Sequence, residues 1–459
     1  MNIVSKSASL SGRIQVPGSK SHTIRALLLA SLAEGTSVIR NPLASADCLS
    51  TAQAVPLLGA SVTMDSTGNM WTVEGAGKRI HLPEDVVNVG NSGSLLYFLS
   101  PIAATFEGWS VFTGDESIRR RPVAHVADAL TQMGAHAYIS RPDSSSCPLL
   151  IQGPASAAHT VRTGGELSQY ISGMMMAATR LNGTLRIELS NPKETPYLEM
   201  TRKWLDRTGA SVRMSSDFTH IEVDGPAHLK PFDTAIPSDW EAAAFPLIAA
   251  LITDSEIEIE NADTSGTQGD EAIVAVLQSM GADIELNKTA GSLIVRGGKK
   301  ARNKTGHLST LGLPGKTLHA NLSGYPDAVC ALAAVSCFAE GTVCIEDIGV
   351  CRNKETDRIS VLKSELEKLG ADITEGSDSL TIRGHSPVLP DGTKNAQFAL
   401  HGAEVESFLD HRVAMSLACL GLGLPGGQQV TVKDAECCSV SFPRFTEAMN
   451  GIGAGFIIS

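Results

Sequence analysis

Six times the chain ends an amphipathic stretch with Gly-Ala: Gly59-Ala60, Gly134-Ala135, Gly209-Ala210, Gly281-Ala282, Gly370-Ala371 and Gly453-Ala454. The intervals between these glycines are 75, 75, 72, 89 and 83 residues. Glycine just past a helix is a C-terminal stop, because it takes the left-handed conformation at little steric cost. Apolar residues at helical spacing precede it, as in DEAIVAVLQSMGA and RISVLKSELEKLGA, and a short strand-like run such as SVRM or DIEL follows. The front of the unit also recurs, as strand, loop, small-residue apolar helix and second strand. Each copy therefore reads strand-helix-strand-helix-strand-strand. The first helix of each copy is apolar nearly all round and is predicted to be buried; the second is amphipathic and is predicted to cover the outside.

A repeat of this kind fixes the fold class before any single element does. The chain is predicted to be α/β, with six βαβαββ units closing into two lobes of three. The stretch 228–232 lies between copies three and four and marks a crossing point. The strand from Gly12 to Val16 precedes copy one and is expected to return the chain start to the second lobe. This places residues 1–19 with 235–459 in one lobe and 20–234 in the other. The basic, glycine-rich stretch 296–316 lengthens the fourth interval and reads as a flexible surface insertion.

Polar residues gather where the apolar helices begin: Lys20 and Ser21, Asn91 and Ser92, Ser168 and Gln169, Ser238 and Asp239, Asp327, then Asp410, His411 and Arg412. Helix capping accounts for the serines, asparagine and aspartates. It does not account for Lys20 or Arg412, since the helix dipole opposes a cation at a helix start by roughly 0.3–1 kcal/mol. A bound anion reverses that penalty. Gly93 lets backbone donors approach such an anion, and Arg119-Arg120-Arg121 offers a forked guanidinium contact to carboxylate or phosphate.

Composition narrows the ligand. The net charge is −12 and aromatic residues make up 5% of the 459. Neither suits nucleic acid, which needs a broad basic surface and stacking rings. A small anion feels only the local field of a cleft and is not excluded. The chain start shows no apolar signal core, and the longest apolar stretch, around 413–424, is too short and glycine-rich to span a bilayer. Nine scattered cysteines without a CxxC pair point to reduced thiols and a cytoplasmic location. Dispersed histidines give no metal-ligand spacing, so neither metal nor organic cofactor is expected.

The segments PGSKS with Arg25, GNSG, RRRPV, SQY, YPDA, NKETDR and LDHRVAM occur in this order. Together they resemble the 5-enolpyruvylshikimate-3-phosphate (EPSP) synthase family of enolpyruvyl transferases, from about Leu10 to Phe445. The resemblance implies a fold of two inside-out α/β barrels, each of three units, and a cytoplasmic monomer without cofactor. It implies a transferase that moves the enolpyruvyl group of phosphoenolpyruvate to the 5-hydroxyl of shikimate 3-phosphate. Phosphate leaves after a tetrahedral intermediate. Lys20, Asn91, Gly93, Arg121, Gln169, Arg358 and Arg412 would hold phosphoenolpyruvate. Ser21, Arg25, Ser168, Gln169, Asp327 and Lys354 would hold the acceptor. Asp327 would take the hydroxyl proton and Glu355 would protonate the methylene carbon, with Lys20 and His411 in support.

Three positions depart from the family pattern. Tyr97 stands where an arginine is usual, Leu167 where a serine is common, and Glu194 at a usual serine, with Thr195 one residue on as a substitute. All three concern mainly the acceptor. Transfer to another phosphorylated or nucleotide-linked acceptor is therefore the alternative. The UDP-N-acetylglucosamine branch is disfavoured, because its loop cysteine is missing between Gly114 and Pro122. A non-catalytic anion-binding paralogue is a third reading, opposed by the intact Asp327, Lys354, Glu355 and Arg412.

Overall fold

The computed structural model describes residues 1–302, 306–389 and 391–459. Of the basic stretch 296–316, residues 303–305 therefore lie outside the described residues. Its flanks carry short 3-10 turns at Gly298–Lys300 and Pro314–Lys316. The chain divides into two compact units. One comprises Met1–Pro17 with Ser238–Ser459, the other Gly18–Pro237. Each unit has its own apolar core.

Among the described residues the repeat is visible as six four-stranded sheets of one pattern. In each, a parallel edge strand joins three antiparallel ones. The chain order explains how the ends are closed. Copy one takes its parallel edge strand from Asp233–Ala235, which pairs with Glu34–Arg40. Copy four takes its edge strand from Ser11–Gln15, paired with Glu256–Glu260. The very first strand, Ile3–Lys6, pairs with both Gln429–Lys433 and Ile457–Ile458 and so completes copy six. Alternation decides which face of a strand is buried: in Glu256–Glu260 the two isoleucines are buried while the glutamates are not.

The first helices of the six copies are α1 (Lys20–Leu32), α2 (Gly93–Ala103), α3 (Ser168–Ala178), α4 (Trp240–Leu251), α5 (Val329–Ser336) and α6 (His411–Leu422). They are almost wholly buried, as their all-round apolar surfaces predict. Within their unit α4, α5 and α6 pack on one another. In the other unit α2 and α3 approach so closely that a Cβ on Gly173 would sit 2.3 Å from the Tyr97 carbonyl oxygen. The outer helices each end at the repeat glycine. All six of these glycines are left-handed, with φ between +86° and +101°. A side chain at any of them would strain the stop that ends the helix.

Candidate active site

In the unit formed by Met1–Pro17 and Ser238–Ser459, the starts of α4, α5 and α6 meet in one ionic cluster. Asp327 lies in the 3-10 turn that leads into α5. Asp410 caps α6, accepting from the Arg412 amide at 2.9 Å. Arg358 opens the outer helix Arg358–Lys368, whose cap is Asp357. Its guanidinium is fully enclosed. Nε donates to Asp410 Oδ2 at 2.7 Å, Nη2 to Glu355 Oε2 at 2.7 Å, and Nη1 to Asp327 Oδ1. Lys354 Nζ lies 3.6 Å from the other Asp327 oxygen, and Arg412 Nε 3.5 Å from Oδ1. Arg412 Nη2 donates to Glu241 Oε2. His411, the first residue of α6, is buried beside them.

This geometry sets the proton affinities. Burial alone would raise that of Asp327, but Lys354, Arg412 and Arg358 outweigh it and hold the carboxyl well below the usual carboxylate range. Burial alone would lower Arg358, yet Asp410, Glu355 and Asp327 drive it well above its ordinary value. Arg412 follows the same logic through Glu241 and Asp327. Both guanidiniums are locked in their charged form by carboxylates of their own chain.

In the unit Gly18–Pro237 the candidate residues again sit at helix starts. Lys20, at the first position of α1, lies 3.4 Å from Asp47 Oδ2. Asn91 Nδ2 donates to Asp115 Oδ2 at 2.6 Å. Ser92 caps α2 through the Leu95 amide. Gly93 is bare for a reason the sequence does not show: a Cβ there would lie 2.4 Å from Arg121 Nη1. Gln169 at the start of α3 donates to Ser94 at the start of α2, at 2.9 Å. The backbone amide and hydroxyl of Ser168 both donate to Glu194 Oε2, at 3.0 and 2.8 Å.

Arg25 is buried within the helix bundle. It donates to Thr201 Oγ1, the carbonyls of Ser21 and Tyr197 and, more loosely, Ser172, and it lies over the Phe98 ring at 4.7 Å. Burial draws its guanidinium down to about 10, which Tyr197 and Glu194 oppose. In this structure it is a strut joining α1 to α3 and to the helix Thr195–Thr208. Tyr97 also points inward. Its hydroxyl donates to the Pro122 carbonyl at 3.0 Å, and its ring packs on His125. It thereby anchors the segment that carries Arg121.

The arrangement can gather several negative charges at rigid helix starts, and it places Asp327 and Glu355 on the guanidinium that also holds Asp410. No group of three His, Cys, Asp or Glu among the described residues is placed to hold a metal. No helix among them is long and apolar enough to cross a membrane.

The family profile described as EPSP synthase (3-phosphoshikimate 1-carboxyvinyltransferase) matches residues 4–449. The chain belongs to the EPSP synthase family. It is 36% identical over 446 residues to the 3-phosphoshikimate 1-carboxyvinyltransferase of Ruminiclostridium cellulolyticum, covering 97% of each chain. It is 33% identical over 455 residues to that of Methanocaldococcus jannaschii, covering 98% of each. The solved EPSP synthase of Acinetobacter baumannii superposes over the whole of both chains with a TM-score of 0.77 at 26% identity. The enolpyruvyl transferase NikO of Streptomyces tendae shares the fold at 15% identity, with a TM-score of 0.75 over 99% of this chain and 98% of its own. The chain is thus a transferase of the shikimate pathway that moves an enolpyruvyl group.

The structure brings together Asp327, Lys354, Glu355, Arg358 and Arg412 in one unit, and Gly93 with Arg121 and Gln169 with α2 in the other. Sequence reasoning missed the partners. Asp47, Asp115 and Glu241 each take a residue predicted to hold an anion. Glu241 also gives copy four a part in the site, where only capping by Asp239 was legible. Asp239 does cap α4, accepting from the amides of Glu241 and Ala242. That cap fixes the turn on which Glu241 sits.

Proposed function

We propose that the chain transfers the enolpyruvyl group of phosphoenolpyruvate to the 5-hydroxyl of shikimate 3-phosphate, releasing phosphate. The observation that carries this reading is the cluster of Asp327 and Glu355 on Arg358, with Lys354 and Arg412 beside them. In one unit Arg358 and Arg412 serve the donor, and Lys354 and Asp327 the acceptor. In the other, Lys20, Asn91, Gly93, Arg121 and Gln169 serve the donor, and Ser21, Ser168 and Gln169 the acceptor. Arg25 serves the acceptor by holding the Ser21 carbonyl and the neighbouring helices in place.

The hydroxyl oxygen bonds to C2 of the donor while its proton passes to Asp327. Glu355 gives a proton to C3, which becomes a methyl group. The bond from C2 to the phosphate oxygen then breaks, phosphate leaves with the proton that Asp327 took, and the methyl group returns a proton to Glu355 as the double bond reforms. In the unliganded protein three cations make Asp327 a weak base. Substrate anions draw on the same cations, so its proton affinity climbs when they arrive. This couples proton abstraction to a loaded site. His411, buried at the start of α6, supports that pair.

We further place the enzyme in the cytoplasm as a monomer without a nucleic-acid partner. Nine scattered cysteines suit a reducing compartment, and a net charge of −12 offers no broad basic surface. The decisive experiment mixes purified protein with phosphoenolpyruvate and shikimate 3-phosphate and follows released phosphate. Release at saturating substrates supports the reading; none, with phosphoenolpyruvate still bound, sinks it. A second reading, transfer to another phosphorylated or nucleotide-linked acceptor, draws on one observation: a carboxylate of the chain already holds Ser168.

A further inference from the structure

We propose that Glu194 sets which acceptors the enzyme takes, because its carboxylate holds the start of α3 where an acceptor anion would bind. This rests on the assignment of Ser168 to the acceptor.

The residue in the cap position of α3 is Leu167, whose side chain offers the helix no acceptor. A helix start left in this way has orphan amides. Here the missing cap comes from Glu194, 26 residues after Ser168. Its Oε2 takes both donors of Ser168, and Ser168 and Glu194 are each buried. The backbone of Glu194 is left-handed, with φ at 50°. Glutamate seldom adopts that conformation. It turns the side chain back towards α3 just before the helix Thr195–Thr208 begins. Leu167 and Glu194 are therefore one device: the first removes a cap and the second restores it with a full negative charge.

The charge decides the consequence. A carboxylate at a helix N-terminus is stabilised by the dipole and by the two donors it accepts from. A phosphate dianion reaching the same donors must displace that carboxylate or lie beside it, and like charges at that distance repel. An acceptor that presents a hydroxyl or another hydrogen-bond donor at this point meets a ready partner instead. Glu194 thus weakens the hold on a phosphorylated acceptor relative to a serine at the same place, and it leaves the donor untouched.

The test uses the full chain and the variants Glu194→Ser and Glu194→Gln. Binding of shikimate 3-phosphate is measured by calorimetry, and KM for each substrate by phosphate release. Glu194→Ser is expected to tighten shikimate 3-phosphate by about tenfold, the effect of relieving one like-charge contact, with KM for phosphoenolpyruvate unchanged. Glu194→Gln keeps the shape, loses the charge and is expected to fall between. If Glu194→Ser does not fold, as thermal unfolding reports, Glu194→Gln carries the comparison. Folded variants that bind shikimate 3-phosphate no more tightly than the parent overturn the proposal. If neither parent nor variant turns shikimate 3-phosphate over, the acceptor reading fails. The calorimetric comparison still decides the role of Glu194, since tighter binding upholds it and unchanged or weaker binding rejects it.

Discussion

Glu241 on α4 closes on Arg412 on α6, and both side chains are more than nine-tenths buried. The two residues are 171 positions apart. A cation at a helix start is out of place unless an anion accompanies it, and this chain supplies the anion itself. Glu241→Gln leaves the buried guanidinium with Asp327, 3.5 Å from its Nε. Loss of one member of a buried pair costs about 3 kcal/mol. The variant should therefore unfold at lower temperature. Phosphoenolpyruvate replaces the missing charge, so its addition should raise the unfolding temperature more in the variant than in the parent. Equal shifts would show that Arg412 does not serve the donor.

Asp327→Asn removes the proposed base while leaving Arg358 tied to Asp410 and Glu355. Removing a positioned base typically costs about 10²–10⁴-fold in rate. We expect that loss in kcat, with phosphoenolpyruvate still bound in calorimetry. The low proton affinity of the free carboxylate also has a kinetic signature. The acid limb of kcat/KM, which reports the free enzyme, should lie well below the usual carboxylate range. The acid limb of kcat should lie at higher pH, because bound anions share the three cations. Coincident limbs would rule out the coupling.

The repeat carried most of the fold into the sequence. Each of the six glycines ends an outer helix as predicted, because a left-handed stop leaves few alternatives to glycine. The inner helices were equally plain from their apolar character. The site was legible only on one side of each interaction. Lys20 and Arg412 stood out as residue types at odd places, but their partners Asp47 and Glu241 did not. A carboxylate on a helix or in a loop looks like ordinary surface until tertiary structure turns it inward. Leu167 and Glu194 looked like two unrelated departures, and only the fold shows that one compensates the other. Tyr97 stands in the place of a charged residue, yet its hydroxyl and ring are spent on Pro122 and His125.

Gly93→Ala tests how the arginine segment is seated. The added methyl would sit 2.4 Å from Arg121 Nη1. That atom ends a flexible side chain, so the guanidinium can shift and the fold should survive. The displaced guanidinium no longer reaches the donor. We expect KM for phosphoenolpyruvate to rise by about tenfold, equivalent to losing one charged hydrogen bond. KM for the acceptor should change little. An unchanged KM for phosphoenolpyruvate would remove Arg121 from the donor site.

His125 offers a test that needs no substrate. Its ring packs against Tyr97 at 5.5 Å and edge-on to Tyr170 at 4.8 Å. Burial pushes its pKa down to about 4, with Glu166 opposing. An unfolded chain takes up the same proton near 6.5. Between these values the unfolded state binds more protons than the folded one, so stability falls as pH falls. The contribution is complete above the unfolded value and amounts to about 3 kcal/mol. His307, in the other unit, is also pushed down by burial and adds a slope of the same sign, so only a variant isolates His125. Urea unfolding from about pH 7 to about pH 4.5 should show the parent losing stability more steeply than His125→Phe. The phenyl ring keeps the aromatic contacts and cannot take the proton. Parallel slopes in the two proteins would mean that His125 is protonated in the folded state.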